Sequence, residues 1–369
     1  MKGVTKVADA TALDAFTNKI LLGDSIAVLK KLPDSSVDLV FADPPYYMQT
    51  EGELLRSDGT SFAGVEDAWD KFESYKTYDD FSEQWLRECR RVLKPNGSIW
   101  VIGSFQNIYR MGYIMQSLGF WILNDVIWSK PNAVPNFGGT RFQNSHETML
   151  WCTKSKTAKF TFNYKTMKHL HGGTQEKSVW DIGICIGAER IKDASGKKAH
   201  TTQKPDALLY KVILSSTRPG DVVLDPFFGT GTTGAVAKKL GRNYIGIDNS
   251  EAYIALATER IEKVTTDLNE IHRLELEVKP PKVTMHQLLT ANDLETGEIL
   301  YDKTGTEICR VSADGHVADG DETLSIHKMS AKHLNKTNNN GWDYFWIKRD
   351  GKLKPLDELR YEYAERGNA

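Results

Sequence analysis

Nowhere in the 369 residues does an apolar run approach the ~20 positions a helix needs to cross a bilayer. The N-terminal MKGVTKVADATALDAF also lacks an apolar core of signal-peptide length, so an intracellular protein without membrane attachment is expected. Cysteine is scarce. Cys89, Cys152, Cys185 and Cys309 lie far apart and form no C-x-x-C pair, which argues against a zinc site or a disulfide framework. Reduced, mostly buried thiols and no metal are expected. An excess of one charge is missing too. The formal net charge of −2 announces no polyanionic partner, although local basic patches could still provide one. What remains, 40% hydrophobic and 26% charged, is ordinary globular composition at a length that suits one large α/β domain and a smaller one.

Apolar runs alternate with amphipathic stretches over most of the chain. Strands are expected over Thr17–Gly23, Val37–Ala42, Ser98–Gly103, Phe120–Trp128, His146–Cys152, Asp221–Asp225 and Asn243–Asp248. Helices are expected over Tyr78–Leu93, Gln106–Leu118, Asp206–Ser216, Thr232–Leu240 and Ser250–Val264, the first stopped by Lys94-Pro95-Asn96-Gly97. Val37–Ala42 is apolar with one acid, as in a central parallel strand buried on both faces. This order predicts an α/β fold, a doubly wound, mostly parallel Rossmann-like sheet with helices on both faces. Tyr47–Thr77 lacks periodicity, and a structureless stretch of that length in a compact domain is usually functional. The lysine-rich segment from about 153 to 200 breaks the alternation, EVKPP reads as a linker, and the tail has short strands and a basic, aromatic end.

The stretch VVLDPFFGTGTTGAVAKKLGRNYIGID is a strand, a glycine turn, a helix and a strand ending in an acid. Gly229, Gly231 and Gly234 form G-x-G-x-x-G, and Asp248 follows at about the 20-residue distance of a ribose-binding acid. Glycines let the backbone approach a ligand closely, and the acid accepts hydrogen bonds from vicinal hydroxyls. A nicotinamide cofactor, a flavin or S-adenosylmethionine would each fit. A P-loop would not, because no Gly-Lys-Ser/Thr follows.

Asp43-Pro44-Pro45-Tyr46 lies just past the C-terminal end of a parallel strand, where open α/β sheets bind ligands. An exocyclic amino group on adenine is a poor nucleophile because its lone pair is delocalised into the ring. Two acceptors facing its N–H bonds would favour a pyramidal nitrogen and free that lone pair. Asp43 offers a carboxylate, and Pro44 a main-chain carbonyl aimed by a turn that the next proline stiffens. Tyr46 offers a flat face for an extruded base. The nitrogen could then attack a sulfonium methyl group in line, with positioning and electrostatics as the enzyme's contribution. Cytosine C5 methylation would need an activated cysteine, usually in a Pro-Cys pair, and none occurs here.

With these residues in order, the chain closely resembles the amino-group DNA methyltransferases of the β arrangement. There a DPPY tetrad precedes a target-recognition segment, and an F-x-G-x-G turn comes last, here Phe227-Phe228-Gly229-Thr230-Gly231. Gly23-Asp24 and Thr202-Gln203-Lys204-Pro205 belong to the likeness. Within the group it is similar to the cell-cycle-regulated adenine methyltransferases of bacteria and their restriction-modification relatives, including their small C-terminal domain. Tyr47 and Met48 depart from the Asn/Phe-like residues that often follow the tetrad.

The resemblance implies N6 methylation of adenine at GANTC sites in double-stranded DNA with S-adenosyl-L-methionine. Asp43, Pro44, Pro45 and Tyr46 would be catalytic. Asp24 would meet the cofactor's adenine amino group, and Lys204 its carboxylate. Asp248 would hold the ribose hydroxyls, while Phe227, Gly229, Gly231, Thr232 and Thr233 would line the methionine and ribose, with Asp225 beside them. It further implies a cytoplasmic protein associated with the nucleoid through DNA, and a homodimer among its expected states. The expected domains are 1–270 (catalytic, with a recognition insertion at about 153–200), a linker at 271–285 and a DNA-binding domain at 286–369.

For DNA contacts, Lys154 and Lys165 lie in a basic-aromatic stretch suited to phosphates. Leu54, Arg56 and Trp69 suit a segment entering an opened duplex, and Asn340 and Trp342 suit base edges and stacking. Simpler roles exist for several of these. Asp24 and Asp248 also suit helix N-caps, the lysines a solvated loop, and Asn338-Asn339-Asn340-Gly341 a turn. Three other functions stay open: cytosine N4 methylation, a branch that usually has serine in place of Asp43; a nicotinamide oxidoreductase; and a DNA-binding module without activity.

Overall fold

The computed structural model describes residues 10–48, 54–55, 61–62, 70–136, 139–191, 196, 202–266 and 281–367, and the chain divides into two compact units, Met1–Leu276 and Glu277–Ala369. The first holds α1 (Ala10–Asp14), β1 (Lys19–Leu22), α2 (Ser25–Leu29), β2 (Val37–Ala42), β3 (Leu54–Leu55), β4 (Ser61–Phe62), α3 (Tyr75–Val92), β5 (Leu93–Gly103) and α4 (Ile108–Ser117). It continues with β6 (Trp121–Ser129), β7 (His146–Thr153), α5 (Tyr164–Leu170), β8 (Val179–Asp181), α6 (Asp206–Ser216), β9 (Val222–Asp225), α7 (Thr232–Lys239), β10 (Asn243–Asp248) and α8 (Glu251–Glu262). No described helix is long and apolar enough to cross a membrane.

Eight strands form one sheet in the order β1-β10-β9-β2-β5-β7-β6-β8. The five from β1 to β5 are parallel, β7 runs antiparallel to both β5 and β6, and β8 is parallel to β6. Strand alternation explains the two layers of core. Val40 and Ala42 of β2, Ile99 and Val101 of β5, and Leu224 of β9 pack on one face with Tyr78, Trp85, Leu86 and Cys89 of α3. Leu39, Phe41, Trp100, Ile102 and Val223 pack on the other with Leu208, Leu209, Val212 and Ile213 of α6. Helix α3 starts where the Ser74 side chain accepts from Thr77 N and buries a stripe at helical spacing.

Two local expectations change. The strand expected from Ser98 begins at Leu93, so Lys94-Pro95-Asn96-Gly97 falls inside β5, where pairing jumps from Val37–Leu93 to Leu39–Ser98 and the extra residues bulge. The lysine-rich segment is not uniformly irregular. It carries α5 and β8, and Phe160 and Phe162 pack on Trp151 at 5.3 and 5.5 Å.

The second unit holds a six-stranded sheet of β11 (Ile299–Tyr301), β12 (Glu307–Val311), β13 (Val317–Asp319), β14 (Glu322–Leu324), β15 (Trp346–Arg349) and β16 (Lys352–Pro355), in which β11 pairs antiparallel with β12 and β15. Its core takes in Val283 and Met285, so the second unit begins inside the expected 271–285 linker.

Candidate active site

In a parallel sheet, all strands deliver their following residues to one edge. Four adjacent parallel strands, β1, β10, β9 and β2, bring Gly23-Asp24, Asp248, the glycine turn and Asp43–Tyr46 to that edge in turn. They line one cavity of about 310 Å³, to which Lys204 and Phe227 also contribute. That volume lies at the small end of the roughly 300–1,000 Å³ typical of ligand pockets.

The glycine turn is shaped by its own short-range contacts. Gly229 and Gly231 have φ of 51° and 77°, conformations that favour glycine. A Cβ on Gly231 would also lie 2.7 Å from that of Ala257. Asp225 accepts from Phe227 N at 2.9 Å and from the Thr233 hydroxyl at 2.6 Å. Burial pushes its carboxyl up to about 7, against the lowering effect of those two hydrogen bonds. Asp248 accepts from Gly229 N at 2.7 Å and Ser250 N at 2.8 Å, tying β10 to the turn after β9. Asp24 accepts from Ala27 N at 2.9 Å, so it caps α2 while lining the cavity. Phe227 sets its ring edge-on to Trp85 at 5.2 Å, and Thr232 is held by Arg260 at 2.9 Å. Carboxylates, bare glycine backbone and an aromatic wall fit a nucleoside with a small polar tail.

The turn after β2 is held by residues outside it. Asp70 Oδ1 accepts from Tyr46 N at 2.6 Å and Tyr47 N at 2.7 Å, and its Oδ2 accepts from Met48 N at 2.8 Å. Three successive N–H groups on one buried carboxylate stabilise Tyr47 at φ 54°, a costly conformation for a bulky residue. The Tyr47 ring packs against Phe72, Tyr75 and Tyr78 at 5.7, 5.2 and 5.8 Å. The Tyr78 hydroxyl donates to the Pro45 carbonyl at 2.8 Å and accepts from Asn107 Nδ2 at 3.0 Å.

Around Asp43 lies a cluster of charges. Its Oδ2 accepts from Lys204 Nζ at 2.7 Å, and its Oδ1 lies 2.9 Å from the Tyr46 hydroxyl. That hydroxyl also lies 3.0 Å from Glu147 Oε2, whose other oxygen takes Lys130 Nζ at 2.9 Å. Lys204 Nζ is 3.8 Å from Glu147 and 5.3 Å from the Tyr46 ring centre. Burial raises Asp43, Lys204 offsets part of this, and Glu147 adds to it. Burial would raise Glu147 as well, but Lys204 and Lys130 outweigh it and hold the carboxyl below its ordinary value. Burial works to lower Lys204, yet Asp43 and Glu147 keep it raised. Lys204 therefore pairs with Asp43 while it lines the cavity.

The tetrad and glycine turn carry sequence signals; Asp70, Tyr78, Asn107, Lys130 and Glu147 do not. Lys130 and Glu147 arrive because antiparallel β7 starts at the edge where β5 and β6 end, with Trp128 paired to Glu147. The proposed DNA contacts fare unevenly. Arg56 and Trp69 lie outside the described residues, as does the side chain of Leu54. Lys165 is exposed on α5. Lys154 is half-buried and bonds the Leu93 carbonyl at 2.6 Å. Asn340 is exposed and donates to Asp343 at 2.8 Å. Trp342 is a correction: it is 7% exposed in the C-terminal core with Arg360 4.7 Å above its ring, so it packs rather than stacking on a base.

Comparison with known proteins agrees with this geometry. Residues 37–259 match the DNA methylase family of N6/N4 methyltransferases, and residues 266–369 match the Restriction Enzyme Adenine Methylase Associated family. The Type II methyltransferase M.HinfI of Haemophilus influenzae is 64% identical over 352 residues, covering 95% of this chain and 98% of that protein. The Type II methyltransferase M2.DpnII of Streptococcus pneumoniae is 42% identical over 248 residues, 66% of this chain and 90% of that one. The PvuII DNA methyltransferase (cytosine-N4-specific) shares the fold at a TM-score of 0.53 and 20% identity, covering 70% of this chain and 91% of that chain. The chain belongs to the N6/N4 DNA methylase family, whose methyl donor is S-adenosylmethionine.

Proposed function

We propose that the protein methylates the N6 amino group of adenine in double-stranded DNA, at GANTC sites, with S-adenosyl-L-methionine as donor. One observation carries the chemistry: the Asp43 carboxylate and the glycine turn lie on neighbouring strands and open into one cavity. S-adenosylmethionine supplies an electrophilic methyl group. Asp248 and Asp24 offer acceptors for its ribose and adenine, and Phe227 an apolar wall. Asp43 and the Pro44 carbonyl take the two N–H bonds of the target amino group, while Tyr78 occupies the Pro45 carbonyl. The amino group loses one proton after transfer, and the burial-raised Asp43 is suited to receive it. Adenine is favoured over cytosine N4 by Asp43 itself and by the adenine-methylase-associated C-terminal family. DNA recognition is assigned to the segment around 153–200, with Lys165 as its exposed cation, and to the C-terminal unit, with Asn340 as its candidate contact.

Methyl transfer from labelled S-adenosylmethionine to two duplexes tests this, one with a GANTC site and one with its adenine replaced. N6-methyladenine in the intact site alone is expected. Label on cytosine, or equal label on both duplexes, overturns the target.

A further inference from the structure

The Tyr46 hydroxyl has one proton and two carboxylates within reach, Asp43 Oδ1 at 2.9 Å and Glu147 Oε2 at 3.0 Å. Given to Asp43, that proton occupies the lone pair that a target amino group needs. Given to Glu147, it leaves the tyrosine oxygen and Asp43 Oδ1 facing each other lone pair to lone pair, which an incoming N–H relieves. Glu147 stays ionised and so remains an acceptor for that proton. Its side chain is 13% exposed, Lys130 closes its other oxygen at 2.9 Å, and Lys204 stands 3.8 Å away.

We infer that Glu147 is a positioning residue for methyl transfer: braced by Lys130, it turns the Tyr46 proton away from Asp43 and leaves Asp43 Oδ1 free for the substrate. The inference rests on the proposed reaction. A neutral amide at 147 competes poorly with an anionic Asp43 for the hydroxyl, because hydrogen bonds to ionised acceptors are stronger. Four groups from separate elements face Asp43: Tyr46 from its own turn, Lys204 before α6, Glu147 from β7 and Asp225 from β9. Burial is the main reason Asp43 is raised, and removing the Glu147 charge relieves the repulsion that adds to it and frees Lys204 from one of its competing carboxylates. Activity that needs ionised Asp43 would then persist to lower pH.

The test compares wild type, Glu147→Gln, Tyr46→Phe and the double variant in methyl transfer across pH, with equilibrium binding of S-adenosylmethionine measured alongside. Glu147→Gln should lower kcat about tenfold, the scale of coupling between contacting residues. KM and cofactor binding should hold, and the acid limb of the kcat profile should move down in pH. The double variant should be no slower than Tyr46→Phe. Unchanged kcat with an unmoved limb overturns the inference, as does a loss confined to KM or cofactor binding, or full additivity with Tyr46→Phe. The product base is identified in the same reactions. Methylcytosine would overturn the adenine assignment while leaving the comparison of variants valid.

Discussion

Two turns at the ends of adjacent strands do complementary work and are built by opposite means. The turn after β9 is stabilised by residues it carries or that its neighbour β10 supplies: Asp225 to Phe227 N and Thr233, Asp248 to Gly229 N, two glycines at positive φ. The turn after β2 borrows its support. Asp70 holds its backbone, Tyr78 its second proline, Lys204 and Glu147 its charged groups, at separations of 22 to 161 residues. The turn after β9 draws its support from its own strand, turn and helix and from the next strand, β10. The Asp43 carboxylate draws its partners from its own turn, from β7 and from the residues before α6.

The largest break in this comparison is Asp43→Ala. It removes an acceptor aimed at the reacting amino group, so methyl transfer should fall by about 10²-fold or more, as when a transition-state hydrogen-bond partner is deleted. Equilibrium binding of S-adenosylmethionine should survive, since the glycine turn does not depend on Asp43. Loss of both together would mean the two turns are not separable.

Asp70→Asn tests borrowed support without touching a reacting group. The amide keeps one oxygen for Tyr46 and Tyr47 N–H but sets a donor against Met48 N–H, where Oδ2 now accepts at 2.8 Å. Misplacing a catalytic group by about 1 Å costs up to about 10²-fold, so kcat should fall within that range at unchanged cofactor affinity. Wild-type kcat in this variant would show that the turn holds itself.

Gly231→Ala attacks the local design instead. Alanine at φ 77° is strained, and its Cβ would meet that of Ala257 at 2.7 Å. A cost of about 1–3 kcal/mol is expected in thermal or denaturant unfolding, together with weaker cofactor binding. A variant of full stability and affinity would remove the conformational reason for glycine there.

The same contrast explains what the sequence could show. Strands such as Val37–Ala42 and Asn243–Asp248 match their expected spans because continuous apolar runs have few other places to go. The glycine turn is legible because its contacts are close in sequence, and the tetrad because two prolines and an acid after a buried strand are chemically unusual. Glu147 and Asp70 are single acids without periodicity or motif, and only strand order and loop return bring them to Tyr46. Trp342 misled for the related reason that a tryptophan in a basic, polar tail looks alike whether it meets a base or a core. The register slip at Val37–Leu93, which draws the helix-stopping Lys94–Gly97 segment into β5, is likewise a property of pairing and not of composition.

The smallest effect is a pH slope, and it separates the two acids. Burial holds Asp225 at about 7, above the ordinary carboxylate value of 3.8. The folded protein therefore binds this proton more tightly than the unfolded chain does. Its stabilising contribution is complete below 3.8 and is lost as pH rises toward about 7, because ionisation is easier in the unfolded state. Asp225→Asn cannot ionise, so its stability relative to wild type should improve between about pH 4 and about pH 7 and then level off. Asp43 is also raised, but Lys204 at 2.7 Å compensates its charge. Asp43→Asn should leave most of the slope in place and instead lower stability at neutral pH, because it strips Lys204 of its nearest carboxylate. Denaturant midpoints of the three proteins across that range decide the matter. An equal loss of slope in both variants would mean that the two carboxylates titrate as one coupled pair across β9 and β2, and that the division between local and borrowed support fails for their charges.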